Sequence, residues 1–347
     1  MAETKIKDKK LIYLTVLFIV LLVYYLIFEK KIQKRESAKN NLFSYVIADI
    51  NNFEIIKNDK VLSVSRILNK WKITSERTKE FEASKMDIDS YLSDVKQIQR
   101  LKVINENTTN LGSFGLTSPK LSFKAVISGK PRIFHLGNKN PDNSGYYAKF
   151  ADRNEIFLVD PAAESTIDKE LYYFRDKSIF TYAPSDIRLF SFKDHNIEYI
   201  LEYKDGKWGM SSPVVYSEAD EQQIKNILNS VIDITIKNFF DGKRSVSTAD
   251  AGMLSSDLAI KLIDNKNETI ILKIGKNVKD AEDQYYAGSS NRDMVISVDK
   301  AIIDDIHINL KKLVDDKHVK DEEIKKKTEE EMKKKDEDTK AQDEEKK

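Results

Sequence analysis

Apolar and polar positions follow three different patterns along the chain. Residues 11–28 read LIYLTVLFIVLLVYYLIF, a run without a single charge. At about 1.5 Å per residue, a helix of this length covers about 27 Å, close to the hydrocarbon thickness of a bilayer. Lys5, Lys7, Lys9 and Lys10 precede the run, and Lys30, Lys31, Lys34 and Arg35 follow it. Tyr24 and Tyr25 stand near its C-terminal end, where amphipathic rings favour an interface. A cleaved signal peptide has a shorter apolar region, about 7–15 residues, followed by small residues. Here the run ends in Phe28-Glu29-Lys30-Lys31, so the pattern predicts an uncleaved, single-pass membrane anchor. The flanking basic residues balance and set no orientation. A short tail before one span and a large region after it predicts residues 1–10 in the cytoplasm and the C-terminal region outside.

Beyond a juxtamembrane linker at 29–42, the second pattern mixes periods of two and of three to four. Phe53–Ile56 and Val61–Arg66 alternate as a strand pair, and Asp205-Gly206, between Lys204 and Lys207, signals a tight hairpin. Ile88, Tyr91, Leu92, Val95 and Ile98 recur at helical spacing within 84–99, and Ser84 can cap that helix. Residues 219–234 repeat the helical pattern. Strands are then predicted at 121–127, 132–136, 145–150 and 156–159, and again at 258–263, 269–274, 284–287 and 294–298. Closing helices are expected at 161–171 and 300–313. The order occurs twice because the sequence does. Trp71 recurs as Trp208, Gly137 as Gly275, Tyr146-Tyr147 as Tyr285-Tyr286 and Asp160 as Asp299, all at offsets of 137–139. The prediction is two tandem α+β copies, 43–180 and 181–313, each an antiparallel meander covered on one face by helix.

The first copy carries a further set of short motifs. They are Gly115-Leu116 with Pro119, Leu136-Gly137, Tyr146-Tyr147-Ala148 and Phe174-Arg175-Asp176-Lys177. Together with the Trp after a hairpin and the amphipathic helix, they resemble a bacterial family of membrane-anchored domains of unknown function. Members of that family are often encoded beside ABC-transporter components of the gliding-motility type. The second copy departs from the pattern: Ala251-Gly252-Met253 is not followed by Pro, and nothing in 310–316 matches Phe-Arg-Asp-Lys. The resemblance implies an accessory protein of a transport system and no reaction.

The third pattern is the charged tail, 314–347. From Asp315 onward it holds 14 acidic and 11 basic residues and almost no apolar face, which predicts a solvated helical or disordered segment. The whole chain has 58 Lys+Arg against 57 Asp+Glu, and 41–314 holds 38 basic and 39 acidic residues. Such balance speaks against a nucleic-acid partner, which calls for a basic face. With no Cys there are no disulfides or thiolate sites.

The four His, at 135, 195, 307 and 318, are neither at metal-ligand spacing nor shared between copies. No phosphate-binding loop is present, and no catalytic, cofactor-binding or metal residues are assigned. Trp71 and Trp208 read as anchors of hairpin onto helix, and Asp160 and Asp299 as helix caps. Gly137 and Gly275 read as repeat anchors too. One Tyr of each pair, Tyr146-Tyr147 and Tyr285-Tyr286, should face out and offer a partner or ligand surface. The expectation is an inner-membrane, extracytoplasmic binding or accessory protein of an ABC-type transport system, with the bilayer and transporter components as partners and no cofactor. The alternative is an envelope hydrolase or transferase with a site in or between the copies.

Overall fold

The computed structural model describes residues 13, 15–25, 28, 40–75, 79–105, 110–216, 219–317, 326 and 328. Most of the charged tail, His318, the flanking Lys clusters and five positions of the predicted anchor (11, 12, 14, 26 and 27) lie outside the described residues. Residues 15–25 are helical, and their large apolar side chains are all exposed, from 46% at Leu22 to 65% at Tyr24. Among the described residues, no helix is long and apolar enough to cross a membrane.

The chain divides into two compact units, 1–176 and 177–347. The repeat pattern predicts a join after residue 180. Ile179 and Phe180, both almost fully buried, belong instead to the core of the second unit.

The first unit is a nine-stranded antiparallel sheet built from β1 (Asn52–Lys57), β2 (Lys60–Ile67), β3 (Lys70–Ser75), β4 (Lys79–Glu82), β5 (Arg100–Asn105), β6 (Leu121–Ile127), β7 (Lys130–Lys139), β8 (Tyr146–Phe150) and β9 (Ile156–Val159). Its order is β4-β3-β2-β1-β6-β7-β8-β9-β5. Two meanders therefore meet at the β1/β6 pair, and β5 crosses to the far edge. The second unit holds β10 (Ile187–Asp194), β11 (Ile197–Lys204), β12 (Lys207–Ser212), β13 (Asn238–Phe240), β14 (Leu258–Asp264), β15 (Thr269–Val278), β16 (Ala281–Ser289) and β17 (Val295–Asp299). Its order, β12-β11-β10-β14-β15-β16-β17-β13, is the same with the β4 equivalent missing. A simple meander was expected; the far-edge strands β5 and β13 are the difference. The tight hairpins form where the chain supplies residues that tolerate positive φ, as at Asp205 (53°) and Gly206 (80°).

Helix α1 (Lys85–Lys96) lies on the first sheet, with Ile88, Tyr91, Leu92 and Val95 buried, and Ser84 Oγ accepts from Asp87 N at 3.2 Å. The predicted closing helix at 161–171 is two short pieces, α2 (Ala163–Ile167) and α3 (Leu171–Phe174). The break at 168–170 lets both Ile167 and Phe174 turn into the core, and Asp168 within it pairs with Lys57 of β1 at 2.6 Å. In the second unit α4 (Glu221–Ile232) matches α1, and α5 (300–317) runs unbroken, burying Ile303, Ile306, Leu310 and Leu313.

The first core is aromatic. Tyr91 lies 5.2 Å from Phe53 and 4.9 Å from Phe174, centroid to centroid, within the range of favourable ring pairs. The second core is mostly aliphatic, yet its inward positions follow the same register. Phe123 and Ala125 of β6 correspond to Ile260 and Leu262 of β14, so one side chain shrinks where the other grows. Such compensation preserves core volume and is the kind of exchange cores tolerate best.

Candidate functional site

The repeat anchors recur as geometry. The Trp71 carbonyl accepts from Ala83 N at 3.3 Å, and the Trp208 carbonyl from Ala219 N at 2.8 Å, so each Trp fixes the chain entering its helix. Both indoles are buried. Gly137 and Gly275 lie under the chain segment before each positive-φ glycine: a Cβ would stand 2.2 Å from the Phe114 carbonyl oxygen in one unit and 2.1 Å from that of Ala251 in the other. Thus Gly115-Leu116 and Leu136-Gly137, separate in sequence, form one lock. Asp299 stands directly before α5 and accepts from Ala301 N at 2.9 Å, whereas Asp160 accepts from Ala162 N at 2.6 Å in the turn ahead of α2, whose cap is Ala162 and not the expected Asp160. Phe174 and Arg175 are buried at the end of the first unit, with the Arg175 guanidinium 4.4 Å from the Phe81 ring centre.

The Tyr pairs alternate across the sheet. Tyr146 faces the helix-covered side and donates to the Glu164 carboxylate; burial, then that hydrogen bond, pushes its hydroxyl up to about 12. Tyr147 points to the opposite, back face and meets Phe114 edge-on at 4.8 Å. In the second unit Tyr285 lies half-buried against the main core, with Lys300 5.4 Å from its ring centre. Tyr286 is buried on the back face, 4.9 Å from Phe240. Tyr146 and Tyr286 are buried and Tyr147 and Tyr285 half-buried, so neither pair turns an exposed ring outward.

The back face of the second sheet carries a cleft of about 680 Å³. Its floor is β15, β16 and β17, and its wall is the loop 241–254. The wall is braced internally: Ser247 and Asp250 bond each other, and Met253 N donates to the Thr248 carbonyl at 3.0 Å. Ala251, Met253, Tyr286 and Val295 form a small second core beneath it, and Phe240 packs against them. Leu254 and Ile271, 73% and 40% exposed, stand at the mouth.

Strand pairing shows what differs at these positions between the units. Phe240 pairs with Val295 where Asn105 pairs with Ile156. Lys273 stands between Ala259 and Gly288 where His135 stands between Ser122 and Lys149. A Cβ on Gly288 would press on the Met253 sulfur at 3.0 Å, so this glycine leaves the space that Lys149 fills in the first unit. None of these residues was singled out from sequence for this role. The signal was available in the positions where the two copies, once in register, disagree in charge or size.

Several polar groups elsewhere pair with one another, while the buried Tyr216 hydroxyl has no hydrogen-bond partner among the described residues. His135 Nδ1 lies 2.8 Å from Ser122 Oγ, and burial, then the nearby Lys149 charge, holds its pKa below the usual value. Asp194 lies 2.5 Å from His195 and 3.4 Å from His307. A second concavity, about 470 Å³ in the first unit, is lined by Lys130, Arg132 and Arg153; Arg132 pairs with Asp152 at 2.6 Å, and Arg153 lies over the Phe150 ring. Among the described residues, no group of three or more His, Cys, Asp or Glu could hold a metal ion.

One family model matches the chain, a domain of unknown function (DUF4340), in two overlapping copies at 71–256 and 208–347. No curated protein and no solved structure matches it.

Proposed function

The chain belongs to the DUF4340 family, and from its two-unit build we propose that it is a membrane-anchored extracytoplasmic binding protein, auxiliary to an ABC-type transporter. The observation that carries the reading is the cleft in the second unit, built on a sheet position where the first unit presents a polar surface. A duplicated scaffold that keeps its core and changes one face is what a binding module requires: the constant part holds the shape and the variable face recognises the ligand. The exposed apolar helix at 15–25 supports the anchor, since such a surface in water is unfavourable and in lipid is not. In this arrangement residues 11–28 hold the protein in the inner membrane, and both units stand outside it beside the permease.

The chain has no Cys, so a single introduced thiol reports topology. Lys347→Cys is expected to react with a membrane-impermeant maleimide in intact spheroplasts, and the protein to stay in the membrane pellet through an alkaline carbonate wash. Labelling only after lysis places the units in the cytoplasm and ends the extracytoplasmic reading. Purification from detergent-solubilised membranes is expected to recover an ATPase and a permease in fixed ratio to the chain. Recovery of neither removes the transporter assignment.

A further inference from the structure

Lys273 sits on β15, between β14 and β16, so it rises from the middle of the back face and not from a loop. It is half-buried. Its cross-strand neighbours, Ala259 and Gly288, have no polar side-chain atom. Among the described residues no side-chain hydrogen bond or ion pair reaches its ammonium. The first unit shows the satisfied version of this position, with His135 bonded to Ser122. A partly desolvated cation to which no acceptor is hydrogen-bonded is unfavourable, and an anion delivered to it recovers a charge-assisted hydrogen bond.

The surroundings narrow the anion. Phe240, Met253, Leu254 and Ile271 give the cleft an apolar lining next to that one cation. Arg292, the other cation in the lining, donates to the Ser178 carbonyl at 2.6 Å. Asp241 and Asp293 also line the cleft, and because their like-charge repulsion grows with the charge of the ligand, it favours a monoanion over a dianion or an anionic polymer. The volume of about 680 Å³ falls within the range of small-molecule sites.

We propose that the cleft binds a small amphipathic monoanion, an apolar chain or ring ending in one carboxylate. The carboxylate pairs with Lys273 Nζ, and the apolar body lies against Phe240, Met253 and Ile271. This rests on the reading of the cleft as a binding site, and the test separates the two.

The full chain in nanodiscs is titrated calorimetrically with phenylbutyrate and with its uncharged amide, with empty nanodiscs as blank. The acid is expected to bind about tenfold more tightly than the amide. Lys273→Met abolishes that difference and leaves the amide unchanged. Gly288→Lys, which restores the first unit's residue, weakens both. Leu254→Ser, at an exposed position that carries no core packing, also weakens both and serves if Gly288→Lys fails to fold. Equal binding of acid and amide, with Leu254→Ser still weakening both, overturns the anion and keeps the cleft as a site. Binding unchanged in both Lys273→Met and Leu254→Ser places the ligand elsewhere and overturns the proposal. No binding of either probe at about 10 mM, the weak end of specific recognition, overturns both readings.

Discussion

Gly137→Ala and Gly275→Ala test whether the two units share one packing lock. Neither glycine has positive φ, so an alanine suits the backbone and the cost is steric. The added Cβ would stand 2.2 Å from the Phe114 carbonyl oxygen, or 2.1 Å from that of Ala251. Carbon–oxygen contacts settle near about 3.3 Å or beyond, so roughly 1 Å of backbone must move. Overpacking of this kind costs about 1–3 kcal/mol, with the upper end fitting a backbone obstacle. Alanine also stiffens the unfolded chain, which returns about 0.4–1 kcal/mol. The net loss is about 2 kcal/mol per site. With a urea m-value of about 2 kcal/mol/M, the midpoint falls by about 1 M. The chain's two Trp residues, one in each unit, supply the assay. In a Trp208→Phe background, Trp71 fluorescence follows the first unit; in a Trp71→Phe background, Trp208 follows the second. Gly137→Ala should lower the first transition and Gly275→Ala the second by similar amounts. A shift below about 0.3 M at either site, well under the worked loss, would refute the lock.

The remaining predictions use the same reporters. Tyr91→Phe removes a buried donor to the Ile167 carbonyl at 3.2 Å, and burial holds that hydroxyl well above its usual pKa, so it is protonated at neutral pH. The first unit should lose about 1–2 kcal/mol, and no loss in urea melts would mean that this bond is not formed. Asp220→Ala removes the acceptor for Gln222 N and Gln223 N, both at 3.0 Å, and should cost the second unit about 1 kcal/mol; an unchanged Trp208 midpoint would exclude the cap. His135 is harder to protonate in the fold than in the unfolded chain, because burial and Lys149 oppose its charge. Its neutral form therefore contributes stability above the unfolded pKa of about 6.5, and that contribution falls as pH drops through 6.5 toward the lowered folded value. His135→Gln should flatten this part of the Trp71 midpoint between about pH 7.5 and about pH 5, and an equal slope in variant and parent would remove His135 as the cause.

Much of the fold was written in short-range pattern. The helix at 84–99, its Ser84 cap and the Asp205-Gly206 hairpin follow from local chemistry, and they appear as α1 and the β11–β12 turn. Far-edge pairing was not legible, because β5 reads as an ordinary alternating stretch. Leu101 and Val103, 50% and 40% exposed, carry no mark of which strand they join. The break in the closing helix was hidden for a related reason. Residues 161–171 fit helical spacing, but tertiary contacts of Ile167 and Phe174 set two separate pieces. The anchors Trp71, Trp208, Gly137 and Gly275 were legible as repeats. Their role as a carbonyl tether and a backbone cradle needed coordinates.

The two faces of each sheet have diverged under different constraints. On the helix-covered face, Phe53 and Phe190, Phe134 and Leu272, and Phe157 and Ile296 all stay apolar and buried. A polar group placed there would cost several kcal/mol, since nothing in the core could satisfy it. On the back face, His135 against Lys273 and Lys149 against Gly288 keep neither size nor charge, and Ser122 against Ala259 loses a hydroxyl. Partly solvated positions change with little effect on folding, usually within about 0.5 kcal/mol, so stability alone does not dictate them. Both units keep apolar residues buried on this face, Leu116, Ile156 and Leu158 in the first, where polar Asn105 pairs with Ile156. The second unit instead replaces Asn105 by Phe240 at the matching position and seats it beside Met253 and Val295, under a wall held by its own hydrogen bonds. Apolar residues gathered beside a lysine that has no hydrogen-bond or ion-pair partner among the described residues lower solubility without adding to the main core, and a bound ligand gives that arrangement its use.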